Sequence, residues 1–169
     1  MKFRTGIGYD IHRLAAGRRL VLGGVRIPSP LGLTGHSDAD ALVHALIDAL
    51  LGASGDGDIG RLYPDTDPKW KDADSAFLLK TVMARLRGAG YEVLNADVVV
   101  VAEKPAIAPH VGAMKRVLCP ILGIEADALG IKGKTNEGLG PIGQRKAIAC
   151  LATVLLRPKA RRPRAQPRP

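Results

Sequence analysis

The sequence predicts a single α/β (α+β) domain in which helices pack on one face of a mixed β-sheet. Segments with helically spaced apolar residues alternate with short apolar runs that are typical of strands. Clusters of Gly, Pro and Asp separate these segments. The chain of 169 residues is long enough to bury one hydrophobic core. Val, Leu, Ile and Ala must fill that core, because only 4% of the residues are aromatic.

The first part of the chain is predicted to be mainly strand and loop. Residues 3–10 predict a strand that runs out into a loop. Residues 20–27 predict a hairpin around Gly23 and Gly24, because paired glycines permit its tight turn. Residues 28–35 are predicted to be loop.

A helix is predicted next, with Ser37 as its cap and Asp40 three residues later in a pattern similar to a capping box. Apolar residues of this helix recur on one face: Leu42, Leu46, Ala49 and Leu50. Residues 52–68 are rich in Gly, Asp and Pro, so they predict a long polar loop. Long loops inside compact domains are often functional.

The second half of the chain continues the alternation of helix and strand. Residues 75–88 predict a helix, and the apolar run 98–102 predicts a buried strand. Residues 109–122 predict a third helix with proline near its first turn, and residues 127–132 lead into a short strand. Residues 147–156 are apolar on both alternating sets, which leaves strand and buried helix open. The Val and Thr residues within this run favour a strand.

The net charge of +9 is concentrated near the C-terminal end. The segment from residue 157 onward holds six basic residues, four prolines and no acidic residue. Removing these six charges from +9 leaves +3 for residues 1–156. Proline and like-charge repulsion both oppose packing. We therefore predict a folded domain over residues 1–156 and a disordered basic tail over residues 157–169.

Cys119 and Cys150 lie in apolar surroundings, without Cys or His nearby at metal-ligand spacing. We predict that both are reduced core residues in a reducing compartment. No stretch approaches the ~20 uninterrupted apolar residues of a membrane span, and residues 1–10 lack the apolar run of a secretory signal. These patterns predict a cytoplasmic protein that does not enter a membrane.

Two histidine-containing segments suggest a metal centre. Asp10 and His12 are two residues apart, so on extended backbone their side chains converge as zinc ligands do. Taken alone, an Asp-x-His triplet is more often a surface pair than a metal site. His44 lies four residues after Asp40 and four before Asp48, so these three share a helix face. That face is either a solvated acidic surface or a site where His44 is a ligand oriented by an aspartate.

An acidic loop follows the predicted helix. Its aspartates lie among glycines and proline: Asp56, Asp58, Asp65 and Asp67. Their spacing does not match the twelve-residue loop of an EF-hand. The loop is either a solvated surface or a segment that holds the hydroxyl groups of a sugar or polyol.

Residues 128–135 nearly match a phosphate-binding P-loop, with Ala128 where the stricter pattern has glycine. A P-loop needs a strand before it and a helix after it. Here the preceding residues predict a helical turn, and the following residues do not easily begin a regular helix. A true P-loop is therefore disfavoured. Lys134, Thr135 and backbone amides could still bind phosphate, with Glu137 free to hold a cation.

Five motifs, in this order, resemble those of one known family. Their residues are Gly8 to His12; His36 to Asp40 with His44; Gly57 to Gly60 with Tyr63 to Asp67; Ala102 to Pro105 with Pro109-His110; and Thr135 to Gly140. Each motif is modest by itself, but five in order are very specific. The family is that of the 2-C-methyl-D-erythritol 2,4-cyclodiphosphate synthases, of the non-mevalonate isoprenoid pathway. The resemblance covers about residues 1–156, which would be the catalytic domain.

The resemblance implies a reaction and an assembly. The substrate, 4-diphosphocytidyl-2-C-methyl-D-erythritol 2-phosphate, would give the 2,4-cyclodiphosphate and CMP. Its own 2-phosphate would attack the β-phosphorus, so the enzyme would be a cyclising phosphorus–oxygen lyase. The resemblance also implies a homotrimer with each active site between neighbouring subunits.

The resemblance also assigns roles to individual residues. Zn²⁺ or another divalent metal would be bound by three of them: Asp10, His12 and His44. Glu137 would help bind Mg²⁺ or Mn²⁺ at the substrate diphosphate, and His36 and Thr135 would hold the reacting phosphates as catalytic residues. Other residues would contact the substrate: Ser37, Asp58, Ile59, Gly60, Tyr63, Asp65, Asp67, Ala102, Lys104, Pro105, Ala106, Ile107, Ala108, Lys134 and Asn136.

The chain departs from the family pattern at four positions. Where many members have threonine on both sides of Thr135, this chain has Lys134 and Asn136, and Lys134 still favours phosphate. Where Phe and Arg often follow, this chain has Pro141 and Gln144. It therefore lacks, at that position, the Arg that the family associates with anion binding in the trimer's central cavity.

Two other functions would fit parts of the sequence. A P-loop-type nucleotide hydrolase or a zinc hydrolase would use water as its nucleophile. A nucleic-acid-binding protein would use the Arg-rich tail, and its binding would depend steeply on salt. The lack of aromatic stacking platforms in the domain argues against nucleic acid as a partner.

Overall fold

A computed structural model describes residues 2–159. It contains seven strands: β1 (Arg4–Ala16), β2 (Leu20–Leu22), β3 (Val25–Ile27), β4 (Leu31–Thr34), β5 (Tyr91–Val101), β6 (Leu129–Lys134) and β7 (Ala147–Pro158). Five of them form one sheet in the order β4-β1-β7-β5-β6, while β2 and β3 form a separate hairpin. Neighbours in the sheet are antiparallel except for β5 and β6, which are parallel. The predicted α/β domain with a mixed sheet is confirmed.

The helices lie against one face of the sheet. They are α1 (Ala41–Ser54), α2 (Ile59–Leu62), α3 (Ser75–Gly88), α4 (Val111–Leu122) and α5 (Gly140–Gly143). α1 packs on β1 and β7, α3 packs on α1 and β5, and α4 packs on β6 and the hairpin strand β3. Within residues 2–159, no helix has the length and apolarity needed to span a membrane.

The close contact between α1 and β1 depends on two glycines. A Cβ atom at Gly6 would lie 1.9 Å from the carbonyl oxygen of Ala49, and one at Gly8 would lie 2.0 Å from that of Ala45. Any side chain at either glycine would therefore push the helix off the strand. Because side chains alternate along a strand, the next even-numbered residues of β1 also face α1.

The other face of the sheet is apolar, and no element within residues 2–159 covers it. Its exposed side chains come from odd-numbered positions of β1 and β7: Ile7 (70% exposed), Tyr9 (52%), Ile11 (44%) and Leu151 (38%). Tyr9 and Leu151 are direct cross-strand partners, so these residues form a contiguous patch. Contiguous exposed apolar patches are typical of surfaces that bind another protein.

Two segments that were predicted to be loop are strands. β1 does not run out into a loop after Asp10 but continues to Ala16. Residues 31–34 form β4, which pairs with residues 13–16 at the end of β1. The prediction failed because the hydrogen-bond partner of a short edge strand is remote in sequence and leaves no local pattern.

The predicted cap of the first helix was also wrong. Asp40, rather than Ser37, caps α1, and its Oδ1 accepts a hydrogen bond from the backbone N–H of Val43 at 3.1 Å. The Ser37 hydroxyl oxygen instead accepts from the N–H of Ala39 at 3.4 Å and contacts the ring of His44. A capping box around Ser37 does not form, because α1 begins only at Ala41 and Ser37 lies three residues before the cap position.

Most later elements follow the prediction, but β5 begins at Tyr91, well before the predicted strand 98–102. The predicted helix 75–88 is α3, the predicted helix 109–122 is α4 with a short 3-10 turn before it, and Cys119 and Cys150 are buried and free. The strand interpretation of residues 147–156 is confirmed by β7.

The folded part of the chain extends past residue 156. Arg157 and Pro158 belong to β7, where they pair with Glu92 and Tyr91 of β5. The boundary between domain and predicted tail therefore shifts by two residues. The rest of the predicted tail, residues 160–169, lies outside the described residues.

Candidate metal centre and substrate pockets

Three predicted metal ligands lie together beneath α1. β1 presents Asp10 and His12 on its helix side, and α1 presents His44. The Nε2 atom of His12 lies 2.9 Å from Oδ2 of Asp10, and Nδ1 of His44 lies 3.3 Å from the same oxygen. The two ring nitrogens are 3.1 Å apart, and all three ligand atoms lie within 4.8 Å of one another. One carboxylate and two imidazoles are typical zinc ligands, and three protein ligands leave one coordination position open.

The electrostatics of this cluster also suit a cation. The Oδ2 atom of Asp10 is buried and has no hydrogen-bond partner among the described residues, although two imidazoles are close to it. Burial alone would raise the pKa of Asp10, but its contacts with His12 and His44 hold that pKa well below the usual range. Burial alone would lower the pKa of His12, but the Asp10 carboxylate raises it above the ordinary value. A buried carboxylate that remains ionised needs a nearby positive charge, and the residues present fit a divalent metal.

Hydrogen bonds behind the two imidazoles orient them. Nδ1 of His12 lies 3.0 Å from the carbonyl oxygen of Thr34, so this nitrogen donates and leaves Nε2 free to face the cluster. Nε2 of His44 lies 2.9 Å from the hydroxyl of Ser75 and 3.1 Å from that of Ser37. In each ring, the nitrogen that points away from the cluster is therefore held by a hydrogen bond, and the other nitrogen faces the cluster.

The aspartates on the same helix face do not orient His44. Asp40 is fully buried, and its two oxygens accept from the backbone N–H groups of Gly23 at 2.9 Å and Gly24 at 2.7 Å. Asp48 accepts from the first N–H of α2 at 2.8 Å. Burial raises the pKa of both carboxyls. The face is thus not a solvated acidic surface, and these aspartates hold the hairpin and α2 rather than the imidazole.

A cavity of about 450 Å³ opens over the cluster. Many of the predicted site residues line it: Asp10, His12, His36, Ser37, His44, Ile59, Gly60, Tyr63 and Asp65. Asp67 contributes its carbonyl oxygen, which lies 3.0 Å from Nε2 of His36, and Asp58 caps α2 through the N–H of Arg61. Trp70 and Leu78 also line the cavity. Sequence analysis missed these two because a single apolar residue gives no signal for a pocket wall.

A second cavity, of about 320 Å³, lies where β5 and β6 end. Residues to which the resemblance assigned a role at the substrate line it, from the segment after β5 and from the end of β6: Ala102, Lys104, Pro105, Ala106, Ile107, Ala108, Lys134 and Thr135. The Lys104–Pro105 peptide bond in this segment is cis. Because β5 and β6 are parallel and pair Val101 with Lys134, the segments that leave both strands meet at one edge of the sheet.

Glu103, which was not among the predicted site residues, joins these two segments. Its Oε1 accepts from the backbone N–H of Asn136 at 2.8 Å and from that of Gly138 at 3.2 Å. Within the turn, the Thr135 hydroxyl donates to the carboxylate of Glu137, whose backbone has a φ of 50°. The sequence signal that could have identified Glu103 is an acidic residue directly after the predicted buried strand.

Residues 128–135 do not form a P-loop. Leu129–Lys134 is itself a strand, so no loop is present there to enclose a phosphate. The next helix, α5, begins only at Gly140 and has four residues. The structure therefore removes the basis for a P-loop hydrolase.

The two cavities lie over different strands of the sheet. One row of paired residues crosses the sheet from β1 through β7 and β5 to β6. Its members, in that order, are Asp10, Cys150, Val100 and Gly133. At ~4.8 Å between neighbouring strands, three spacings separate the ends of this row by roughly 14 Å. Glu137 accordingly does not join the cluster: among residues 2–159, the grouping of metal-ligand side chains is Asp10, His12 and His44.

The fold and this site define a class of protein, the α/β enzymes with a three-residue metal-ligand group beneath a pocket. Within that class, the chain belongs to the YgbB family, whose model matches residues 3–157. The 2-C-methyl-D-erythritol 2,4-cyclodiphosphate synthase of Gloeobacter violaceus is 56% identical over 155 residues, which cover 92% of this chain and 95% of that protein.

Solved structures share the fold. IspF of Plasmodium falciparum, solved as a CDP complex, matches with a TM-score of 0.82 and 36% identity over 93% of this chain and 97% of that one. The bifunctional IspDF of Campylobacter jejuni matches with a TM-score of 0.89 and 41% identity over 93% of this chain. The present chain spans 42% of that longer bifunctional chain.

Proposed function

We propose that this chain converts 4-diphosphocytidyl-2-C-methyl-D-erythritol 2-phosphate to 2-C-methyl-D-erythritol 2,4-cyclodiphosphate and CMP, in the non-mevalonate pathway to isoprenoid precursors. An oxygen of the substrate's 2-phosphate forms a bond to the β-phosphorus, and the bond from that phosphorus to the bridging oxygen breaks. CMP leaves with the bridging oxygen, and no water is consumed. The enzyme is thus a cyclising phosphorus–oxygen lyase. One observation carries the proposal: the Asp10–His12–His44 group lies beneath a pocket in a chain 56% identical to a synthase of this name.

The first cavity would hold the reacting phosphates and the methylerythritol. Asp10, His12 and His44 would hold Zn²⁺, which when bound supplies Lewis acidity and an orienting position for a phosphate oxygen. His36 would hold a phosphate, and its contact with the Asp67 carbonyl supports a fixed ring position. The protein supplies no nucleophile in this reaction. Its contribution is to hold the two phosphates together, and proximity can supply about 7–11 kcal/mol.

The second cavity would hold the cytidine and the diphosphate. The Ala102–Ala108 segment would enclose the base, while Lys134 and Thr135 would donate to phosphate oxygens. Glu137 would hold Mg²⁺ or Mn²⁺ at the diphosphate, and Glu103 supports this arrangement by tying the turn to the segment. A family relative was solved as a CDP complex, which supports a cytidine nucleotide as the ligand.

We further infer a homotrimer in which the two cavities of neighbouring subunits combine. Two features support it. The cavities of one chain lie over strands that are separated by roughly 14 Å, and the outer face of the sheet exposes an apolar patch that a second copy would cover. The two free, buried cysteines support a location in the reducing cytoplasm.

The test is to incubate the purified protein with the diphosphocytidyl substrate in ¹⁸O-labelled water and to analyse the products by mass spectrometry. We expect CMP and a cyclic diphosphate, both without ¹⁸O, because the nucleophile is internal. A linear product that carries ¹⁸O would show a hydrolase instead. Release of CMP should stop when a chelator removes the divalent metals and resume when zinc and magnesium are restored.

A further inference from the structure

We propose that Ser75 and Asp38 position His44 as a metal ligand, through a hydrogen-bond relay that runs from the imidazole to a carboxylate outside the metal cluster. The inference deepens the proposed metal centre and rests on it. It assigns a role to Ser75, which lies outside all five motifs, and to Asp38, which lies in the second motif without a role of its own.

The ring of His44 is held on two sides. Its Nδ1 faces the cluster, 3.1 Å from Nε2 of His12 and 3.3 Å from Oδ2 of Asp10. Its Nε2 lies 2.9 Å from the hydroxyl oxygen of Ser75. Ser75 is completely buried and His44 is only 8% exposed, so water does not compete for this contact. On its far side, Ser75 donates its hydroxyl to the carboxylate of Asp38, which also accepts the Ser75 backbone N–H at 3.1 Å.

The direction of these hydrogen bonds follows from what each group can do. An ionised carboxylate only accepts, so the single hydroxyl hydrogen of Ser75 goes to Asp38. The serine oxygen then has only lone pairs to offer His44, and Nε2 of His44 must donate. The proton of the neutral imidazole is therefore on Nε2, and Nδ1 presents its lone pair to the cluster. A metal ligand needs this tautomer, because a proton on Nδ1 would block coordination.

Ser37 cannot set the tautomer in the same way. Its hydroxyl oxygen also lies 3.1 Å from Nε2 of His44, but its other partner among the described residues is the backbone N–H of Ala39. That group is a donor, so the Ser37 hydroxyl hydrogen remains free to point at the imidazole or away from it. The carboxylate behind Ser75 is what makes the relay directional.

The zinc affinity of the metal-free protein, measured by competition with a chromophoric chelator, tests the relay. Loss of an outer partner of a metal ligand typically lowers affinity by about 10–100-fold, and we expect a loss in that range for Ser75→Ala. Ser75→Thr retains a hydroxyl and should recover most of the affinity. Asp74→Ala is the matched control, because Asp74 caps α3 beside Ser75 through the N–H of Ala76 and takes no part in the relay. We expect it to bind zinc as the native protein does.

Long-range ¹H–¹⁵N NMR of His44 in the metal-free protein reports the tautomer directly. We expect the Nε2–H form in the native chain and a reduced population of it in Ser75→Ala. The relay is overturned if Ser75→Ala retains native affinity, if its tautomer is unchanged, or if Asp74→Ala loses as much affinity. If the native chain binds no zinc, the proposed metal centre fails and the relay fails with it. If the native chain binds zinc and Ser75→Ala binds it equally well, only the relay fails.

Discussion

At the scale of single residues, the metal centre depends on three side chains from two elements. Replacing His44 with Ala removes one ligand atom but leaves the apolar face of α1 and its Asp40 cap intact. We expect His44→Ala to lose tight zinc binding and turnover while its circular dichroism spectrum stays native. His110→Ala, at a histidine outside the cluster, should retain a full complement of zinc by elemental analysis. Full zinc occupancy in His44→Ala would mean that the ligand set is wrong.

Lys134 is the last residue of β6 and Glu137 lies in the turn that follows, yet the proposed function predicts different effects for their substitution. Bringing the 2-phosphate against the β-phosphate crowds negative charges, so loss of the bridging cation should remove several kcal/mol of transition-state stabilisation. Glu137→Gln keeps the size of the side chain but removes the charge that holds the cation. We expect a severe loss of CMP release, partly relieved by high manganese. Lys134→Thr should be mild, since a hydroxyl can still donate to phosphate.

The same measurement can contradict this assignment. A nearly normal Glu137→Gln together with an inactive Lys134→Thr would mean that the lysine, rather than a carboxylate-bound cation, neutralises the phosphates. Both variants change exposed side chains, so unfolding is not expected to confuse the comparison.

At the scale of elements, Asp40 connects α1 to the β2–β3 hairpin. Its carboxylate accepts three backbone N–H groups, two from the Gly23-Gly24 turn and one from Val43. In Asp40→Asn the amide nitrogen would replace one accepting oxygen and leave a buried N–H without an acceptor. We expect a loss of about 1–3 kcal/mol in the free energy of unfolding.

Denaturation by urea, at one protein concentration for all samples, measures this loss. The matched control is Asp74→Asn at the cap of α3, where the side chain accepts one N–H. Asn and Asp cap helices about equally well, so this variant should be close to neutral. If Asp40→Asn is equally neutral, the hairpin does not depend on the carboxylate.

At the scale of the whole molecule, the outer face of the sheet should mediate assembly. Ile7 lies on that face and is 70% exposed, and a charge there would have to be buried in the proposed trimer. We expect Ile7→Glu to dissociate the trimer and abolish turnover, because the two cavities of different subunits separate. Zinc binding should persist, since its ligands come from one chain. Light scattering measures the oligomeric state, and elemental analysis measures the bound zinc.

Phe77→Glu is the control for this prediction. Phe77 is also apolar and exposed, at 52%, but it lies on α3, which packs against the opposite face of the sheet. The Phe77→Glu substitution should leave the proposed trimer and its activity unchanged. A native protein that is monomeric in solution and fully active would contradict the proposed assembly.

Most elements were predictable because their signals are local. The helix 75–88 carries helical apolar periodicity within its own sequence. The apolar run 147–156 has no such periodicity, but its Val and Thr residues favour a strand. β4 was not predictable, since residues 31–34 become a strand only by pairing with residues 13–16. The sequence offers both Ser37 and Asp40 as caps, and the helix begins after Asp40. The Ser37 oxygen instead contacts the ring of His44 within α1.

The sequence by itself indicated which types of side chain the candidate site holds: Asp10 and His12 on one side of a strand, His44 on a helix, and a lysine and acids at and after the ends of later strands. Only the tertiary structure decided which groups support them. Ser75 lies 31 residues from His44, and Glu103 lies 33 residues from Asn136, yet each pair is joined by a hydrogen bond. Periodicity reports which face of an element is buried, whereas hydrogen bonds and pocket walls join atoms that meet only when elements pack. That physical difference is why ligand types could be predicted and their partners could not.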